Sequence, residues 1–450
     1  MGGYTAMLAL HSLRHRRTAF TATFMAVLLG TAVIGSFATL VETATGPISS
    51  ADAETLAIMG AVVGGWGALI VLFSVASTVG ITVTQRDAEI GLLRTIGATA
   101  RQARRLVRAE TLAVCLAASI AGALVASVTG RALLAAVGSA GLIDQADYGG
   151  GMVSLAITVG GVLLVCLAAA GVAGRRATHG PASVAPGEDR AGAGRMRWWR
   201  VAAAVALIAY GGSLAIVTVT VTKNAEDPYD AMLTSGSNSI LVGVGLALLA
   251  PVLLRWGSLS LRPVLGRRRA EAHLARYNTS RRAHLLAGVL GPVIVLTSSA
   301  VGTLMAVGTD GRTLPGRAAE DSDTITLLNN VVVSMLSLFA AIMVINAYAA
   351  AIAHRRAELR RLRLLGATPT QVERSIVAEA AVVAAVGVAL GLVASLATIV
   401  PFGLARGEGV VPDGQLWLPP LLVAGVVCLT LGAARGAVRR TARPELARAA

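Results

Sequence analysis

Residues equipped for bond-making chemistry are scarce in this chain of 450. A phosphate-cradling loop needs Gly-Lys-Ser/Thr, because the lysine neutralises the β- and γ-phosphates. The single lysine, Lys223, stands in Thr222-Lys223-Asn224, so no such loop exists here. His11 and His15 have the i, i+4 spacing of a helical metal pair, but Arg14, Arg16 and Arg17 oppose a cation there, and an interfacial amphipathic helix is the better reading. His179, His273, His284 and His354 form no ligand spacing, and neither His-Glu-x-x-His nor Gly-x-Ser-x-Gly occurs. Cys115, Cys166 and Cys428 all lie in apolar runs and read as small core residues. No catalytic residue and no metal ligand is assigned, and the chain is not expected to be an enzyme.

What remains is mechanical, and it occurs twice. Residues 86–110 and 355–379 align without gaps at an offset of 269. They share Arg86/Arg355, Ala88/Ala357, Glu89/Glu358, Leu93/Leu362, Arg94/Arg363, Gly97/Gly366, Ala98/Ala367, Thr99/Thr368, Gln102/Gln371, Ala109/Ala378 and Glu110/Glu379. Each copy reads as a helix ended by a glycine in the left-handed conformation. Thr99 with Gln102, and Thr368 with Gln371, have the spacing of a capping box that starts a second helix. Pro369 takes the first helical position, where proline is favoured. The predicted unit is a helix, a tight Gly-Ala-Thr elbow and a second helix. An ordinary interfacial hairpin is the alternative, but it would not require the same cap chemistry twice. Glu110 and Glu379 read as helix caps or as partners of local arginines.

The elements holding these elbows follow from composition. Charged residues make up 14% and apolar residues 55%, at a mean hydropathy of +0.71. A soluble domain carries about 25% charged residues, so there is too little charge to coat soluble domains of this size. Ten apolar runs are long enough to cross about 30 Å of hydrocarbon: 18–40, 56–84, 110–137, 152–174, 201–222, 238–262, 285–308, 324–352, 376–400 and 418–437. The fold class expected is therefore an all-α integral membrane protein of about ten transmembrane helices. No cleavable signal peptide is evident. With the N-terminus inside, the inner segments hold 34 Lys/Arg residues and the outer loops five, Arg131, Lys223, Arg312, Arg317 and Arg406. That asymmetry predicts both termini in the cytoplasm. It also explains the net charge of +15 without nucleic acid. Trp198, Trp199, Trp256 and Trp417 fall at span ends, as interfacial anchors do.

The outer loops, 41–55, 138–151, 223–237, 309–323 and 401–417, are short and mildly acidic. They read as a solvated negative rim, with cation binding as the other reading. The organisation expected is a first four-span unit over 1–174, a cytoplasmic linker over 175–200, a central two-span connector over 201–262, a second four-span unit over 263–437 and a cytoplasmic tail over 438–450. Gly387 and Gly391, matched by Ala118 and Gly122, predict close helix packing. Ser77 and Asn346 occupy matching intramembrane positions and read as helix–helix hydrogen bonds or substrate contacts. Pro251 and Pro292 are expected to kink their spans.

The motif Glu89-Ile90-Gly91-Leu92-Leu93-Arg94, followed by Gly97-Ala98-Thr99, Gln102 and Glu110, resembles the FtsX-like permease family, the membrane subunits of MacB/LolC/BceB-type ABC transporters. The second copy departs from the pattern at Arg360-Arg361. The resemblance implies that each elbow is a coupling element seated on a separate ATPase. It implies two copies of a MacB/LolD-type ATPase subunit, with ATP and Mg used by that partner and no cofactor bound by this chain. It implies mechanotransmission driving export or extraction of a lipophilic or peptide-like substrate in a bacterial cytoplasmic membrane. The short outer loops depart from relatives that carry a large extracytoplasmic domain. A regulator of cell-envelope processes, related to the cell-division member of the family, and a transporter not driven by ATP remain as alternatives.

Overall fold

Backbone groups in hydrocarbon must be satisfied within their own segment, and the apolar runs meet that demand as helices. The computed structural model describes residues 17–446 except 61–63, 85–86, 140–142, 144–146, 150, 179–195, 197, 225–228, 261–278, 280–282, 314–340, 350 and 353–354. His11, His15, Arg86, most of the 175–200 linker and the first half of the 324–352 run lie outside the described residues. All regular structure among the described residues is helical. The chain divides into two compact units, Met1–Glu188 with Ala318–Leu328, and Asp189–Arg317 with Asn329–Ala450.

The first unit contains α1 (Arg17–Thr43), α2 (Ser50–Ile58), α3 (Gly64–Thr84), α4 (Asp87–Thr95), α5 (Ala100–Ser139) and α6 (Met152–Thr178). Helix α1 lies against α5 at very close range. A Cβ placed on Gly122 would stand 2.5 Å from the Leu28 carbonyl oxygen, so only glycine allows this approach. Hydroxyl pairs cross the same unit: Thr23 to Thr82 at 2.7 Å joins α1 to α3, and Ser36 to Thr129 at 2.6 Å joins α1 to α5. At the far end of α1 the Glu42 carboxylate accepts from the Ser154 N–H at 2.7 Å and the Val153 N–H at 3.5 Å, capping the start of α6. The expected loop 41–55 holds the beginning of α2, a helix too short to be visible in hydropathy. Its N-cap is Ser49, whose hydroxyl accepts from the Asp52 N–H.

The second unit contains α7 (Trp198–Thr220), α8 (Tyr229–Ser235), α9 (Asn238–Leu248), α10 (Ala250–Ser260), α11 (Ala283–Thr313), α12 (Arg356–Leu364), α13 (Pro369–Ala405) and α14 (Leu418–Leu446). Within the apolar window of α11, 89% is buried, against 17% for α7; α11 is the central helix of this unit and α7 a peripheral one. Helix α11 packs on α13 as α1 packs on α5. A Cβ on Gly391 would lie 2.5 Å from the Thr297 Cβ. The offset of 269 carries Gly122 onto Gly391 and Leu28 onto Thr297. The duplicated sequence therefore builds one helix-packing register twice, as the glycine pattern predicted.

Seven helices among the described residues are long and apolar enough to span a membrane. An eighth results if α9 and α10 count as one span, and α3 is a further, mostly apolar helix of 21 residues. The chain is thus a multi-pass membrane protein. The expected run 238–262 is not a single rod. It breaks at Leu249 with a bend of 80°, sharper than a simple kink. Pro251 has no N–H to donate backward and disfavours helical geometry in the residue before it, so the chain turns here. The described residues of the expected connector, 201–262, belong with the second compact unit, α9 lying against α7, α11 and α13.

Beyond α13 the chain folds back over the end of α11. The Arg312 guanidinium donates from Nε to Glu408 Oε1 at 2.9 Å and from Nη2 to Oε2 at 3.0 Å. Arg406 Nη2 donates to Asp310 Oδ1 at 2.5 Å. Burial pushes the Glu408 carboxyl up, and the Arg312 guanidinium with the Asp413 N–H and the Thr309 hydroxyl outweighs this, holding it below 4.5. A carboxyl whose pKa is depressed on folding stabilises the fold above its ordinary value and loses that contribution as pH falls through the depressed value. The thermal midpoint is therefore expected to decline as pH drops below 4.5, and Glu408→Gln is expected to flatten that part of the profile.

Candidate coupling site

Both elbows have the predicted local construction. In the first, Gly97 has φ +104° and follows α4 directly. The Ala98 N–H donates to the Leu93 carbonyl at 2.9 Å, closing the helix end. In the second, Gly366 has φ +97°, and the Ala367 N–H donates to the Leu362 carbonyl at 3.0 Å. A Cβ at either glycine meets nothing within 4 Å. Conformation, not space, selects glycine here, since other residues lose about 1–2 kcal/mol in the left-handed region.

The next helix is started by reciprocal hydrogen bonds in each copy. The Thr99 N–H donates to Gln102 Oε1 at 2.8 Å, and the Gln102 N–H donates to Thr99 Oγ1 at 3.2 Å. The Thr368 N–H donates to Gln371 Oε1 at 2.9 Å, and the Gln371 N–H donates to Thr368 Oγ1 at 3.3 Å. Pro369 occupies the first turn. Because the cap is exposed, Thr368→Ala is expected to lower stability by only about 1 kcal/mol, read as a small shift in thermal midpoint with no change in helical content.

Under the second elbow lies an ion pair. Arg355 donates from Nη2 to Glu379 Oε1 at 3.1 Å and from Nη1 to Glu379 Oε2. The side chains are 9% and 2% exposed. Arg355 Nε reaches Glu358 Oε2 at 3.4 Å. One guanidinium thus joins the entry of α12, the first turn of α12 and the third turn of α13. This identifies the local arginine expected for Glu379. Glu110 is also buried, at 3%, at the matching point of α5. Glu373 holds the end of α14 through Arg435 at 2.5 Å and Arg439 at 3.4 Å.

The outer surface of the elbows is apolar in a way that hydropathy windows hide. Leu92 and Ile96 are 66% and 75% exposed, and Leu364 and Leu365 are 79% and 84% exposed. Sequence reasoning singled out Leu93 and Leu362, whose carbonyls close the helix ends, and missed these four. Nearby arginines mask them; for Ile96, Leu364 and Leu365 the position one or two residues before the glycine was the usable signal. Arg363 is half-buried. The side chains of Glu89, Arg94 and Ser77 lie outside the described ones. Asn346 is half-buried, and its Nδ2 has no hydrogen-bond partner among the described residues. It is not brought to the elbow.

A family model described as "FtsX-like permease C-terminal" matches residues 61–182 and 330–446. The two segments start 269 residues apart and each contains one elbow. No curated protein matches the chain.

Proposed function

Because the chain belongs to the FtsX-like permease family, we propose that it is the membrane subunit of an ABC transporter and that its two elbows dock on separate ATPase subunits. The observation that carries this reading is the twin elbow: the same left-handed glycine, the same reciprocal cap and an exposed apolar tip in both copies. A tip of this kind offers leucine and isoleucine to a cleft on a partner, and the rigid cap passes displacement into the following helix. Two elbows in one chain fit two MacB/LolD-type ATPases, which supply ATP and Mg chemistry. The excess of arginine over one set of loops supports an orientation with both termini and both elbows in the cytoplasm, and the family resemblance supports a bacterial plasma membrane. ATP-driven closure of the ATPases then moves the helices and exports or extracts a lipophilic or peptide-like substrate. The scarcity of ionisable residues within the apolar runs disfavours an ion-coupled transporter.

Two measurements test this. In a variant with its native cysteines replaced by serine, a cysteine at Ile96 or Leu365 is expected to react with a membrane-impermeant maleimide only in inside-out vesicles. The tagged permease is expected to co-elute with two copies of its nucleotide-binding subunit. Labelling from the outer side overturns the reading.

A further inference from the structure

At the end of the first unit remote from the elbow, α1, α3 and α6 enclose a groove of about 470 Å³, within the usual range for small-molecule sites. Its walls are apolar, formed by Ile34, Phe37 and Val41 of α1 and Ile157 of α6. From Ile34 to Glu42 the α1 wall runs for about 12 Å. Ile157 is 70% exposed, so the groove opens sideways toward the bilayer. The Glu42 carboxylate stands at the rim. The loops flanking this end, 41–55 and 138–151, contain Glu42, Asp52, Glu54, Asp144 and Asp147 and no Lys or Arg. The one nearby cation on α5, Arg131, lies over the Tyr148 ring at 5.0 Å.

We propose that this groove takes the alkyl chain of a single-chain amphiphile with a cationic head, its amine against Glu42 and its tail between α1, α3 and α6. The groove is hydrocarbon-lined along its depth and negative at its mouth, and a sideways opening admits a molecule already dissolved in the outer leaflet. This deepens the transporter reading by giving its substrate a class, and it rests on that reading for the leaflet and the transport step, not for the binding itself. Gly65 supplies the plug. It lines the groove, and a Cβ built on it meets nothing within 4 Å. Gly65→Phe therefore starts its side chain in open groove space, where the ring competes with the tail.

The experiment uses the full-length permease in nanodiscs with spin-labelled stearylamine, stearyl alcohol and stearate, reading the motion-restricted fraction by electron spin resonance. Stearylamine is expected to be held about fivefold more strongly than the alcohol, the scale of one partly exposed ion pair, and stearate least. Glu42→Gln is expected to level the amine with the alcohol. Gly65→Phe is expected to remove the restricted fraction of both while leaving the thermal midpoint unchanged, which keeps the test independent of the α6 cap. Equal retention of the three probes overturns the proposal, as does an amine signal that Gly65→Phe leaves intact. In the assembled complex, stearylamine is expected to raise ATPase turnover and the alcohol is not; selective binding without that stimulation overturns the substrate assignment. Selective binding in a permease that recruits no ATPase overturns the transporter reading and leaves the groove standing.

Discussion

Glu379→Gln is expected to destabilise the protein by about 3–5 kcal/mol, the loss typical when one partner of a buried ion pair is removed. The Arg355 guanidinium would keep its charge and its burial, with Glu358 at 3.4 Å as its remaining acidic partner among the described residues. Glu358 is one-third exposed and holds only one edge of the fork. The double variant Arg355→Met with Glu379→Leu is expected to recover most of that loss, because a pair of apolar side chains avoids desolvating either charge. Thermal unfolding in detergent checks both. If Glu379→Gln alone leaves the midpoint within measurement error, the pair does not clamp α12 to α13.

Ile96→Asp combined with Leu365→Asp is expected to weaken ATPase binding at each elbow by roughly tenfold to a hundredfold, with an unchanged thermal midpoint. Each tip residue buries about 1.5–3 kcal/mol of transfer free energy when a partner covers it. Each ATPase meets one elbow and so loses one such contact, about 1.5–3 kcal/mol, or roughly one to two decades in Kd. Both residues already face water or headgroups, at 75% and 84% exposure, so the isolated fold loses nothing by the change. Titration of the ATPase against permease in nanodiscs measures this directly. Unaltered affinity would show that the partner, if it docks, docks elsewhere.

The elbows were legible in the sequence because their chemistry is local. A glycine with positive φ, a threonine and a glutamine three residues later determine one another over six positions, so Gly97 to Gln102 and Gly366 to Gln371 are readable without knowing any neighbour. The apolar runs were legible because lipid leaves the backbone few options. The glycine contacts at Gly122 and Gly391 were legible as a pattern, since both obey the same offset. Long-range pairing was not legible. Nothing in residues 401–417 names Arg312 as the partner of Glu408, nearly a hundred positions away. Likewise, that Arg355 and not one of its many neighbours meets Glu379 depends on how α13 is rotated. The 80° break at Leu249 needed the structure because hydropathy continues smoothly through it. The groove beside Gly65 is a space between three helices, and periodicity in one segment does not report what two others leave open.

Helices α5 and α13 run without a break for 40 and 37 residues, starting at the elbow caps. At 1.5 Å per residue each is a rod of about 55–60 Å, nearly twice the hydrocarbon thickness. Neither has a hinge in its first half where a push at the base would be absorbed; Pro401, the one internal proline of α13, lies in its last turn and a half. A tilt of 5° at the cap displaces the opposite tip by about 5 Å, given that length. The ratio of tip displacement to base rotation, about 1 Å per degree, is thus a property of the two rods alone.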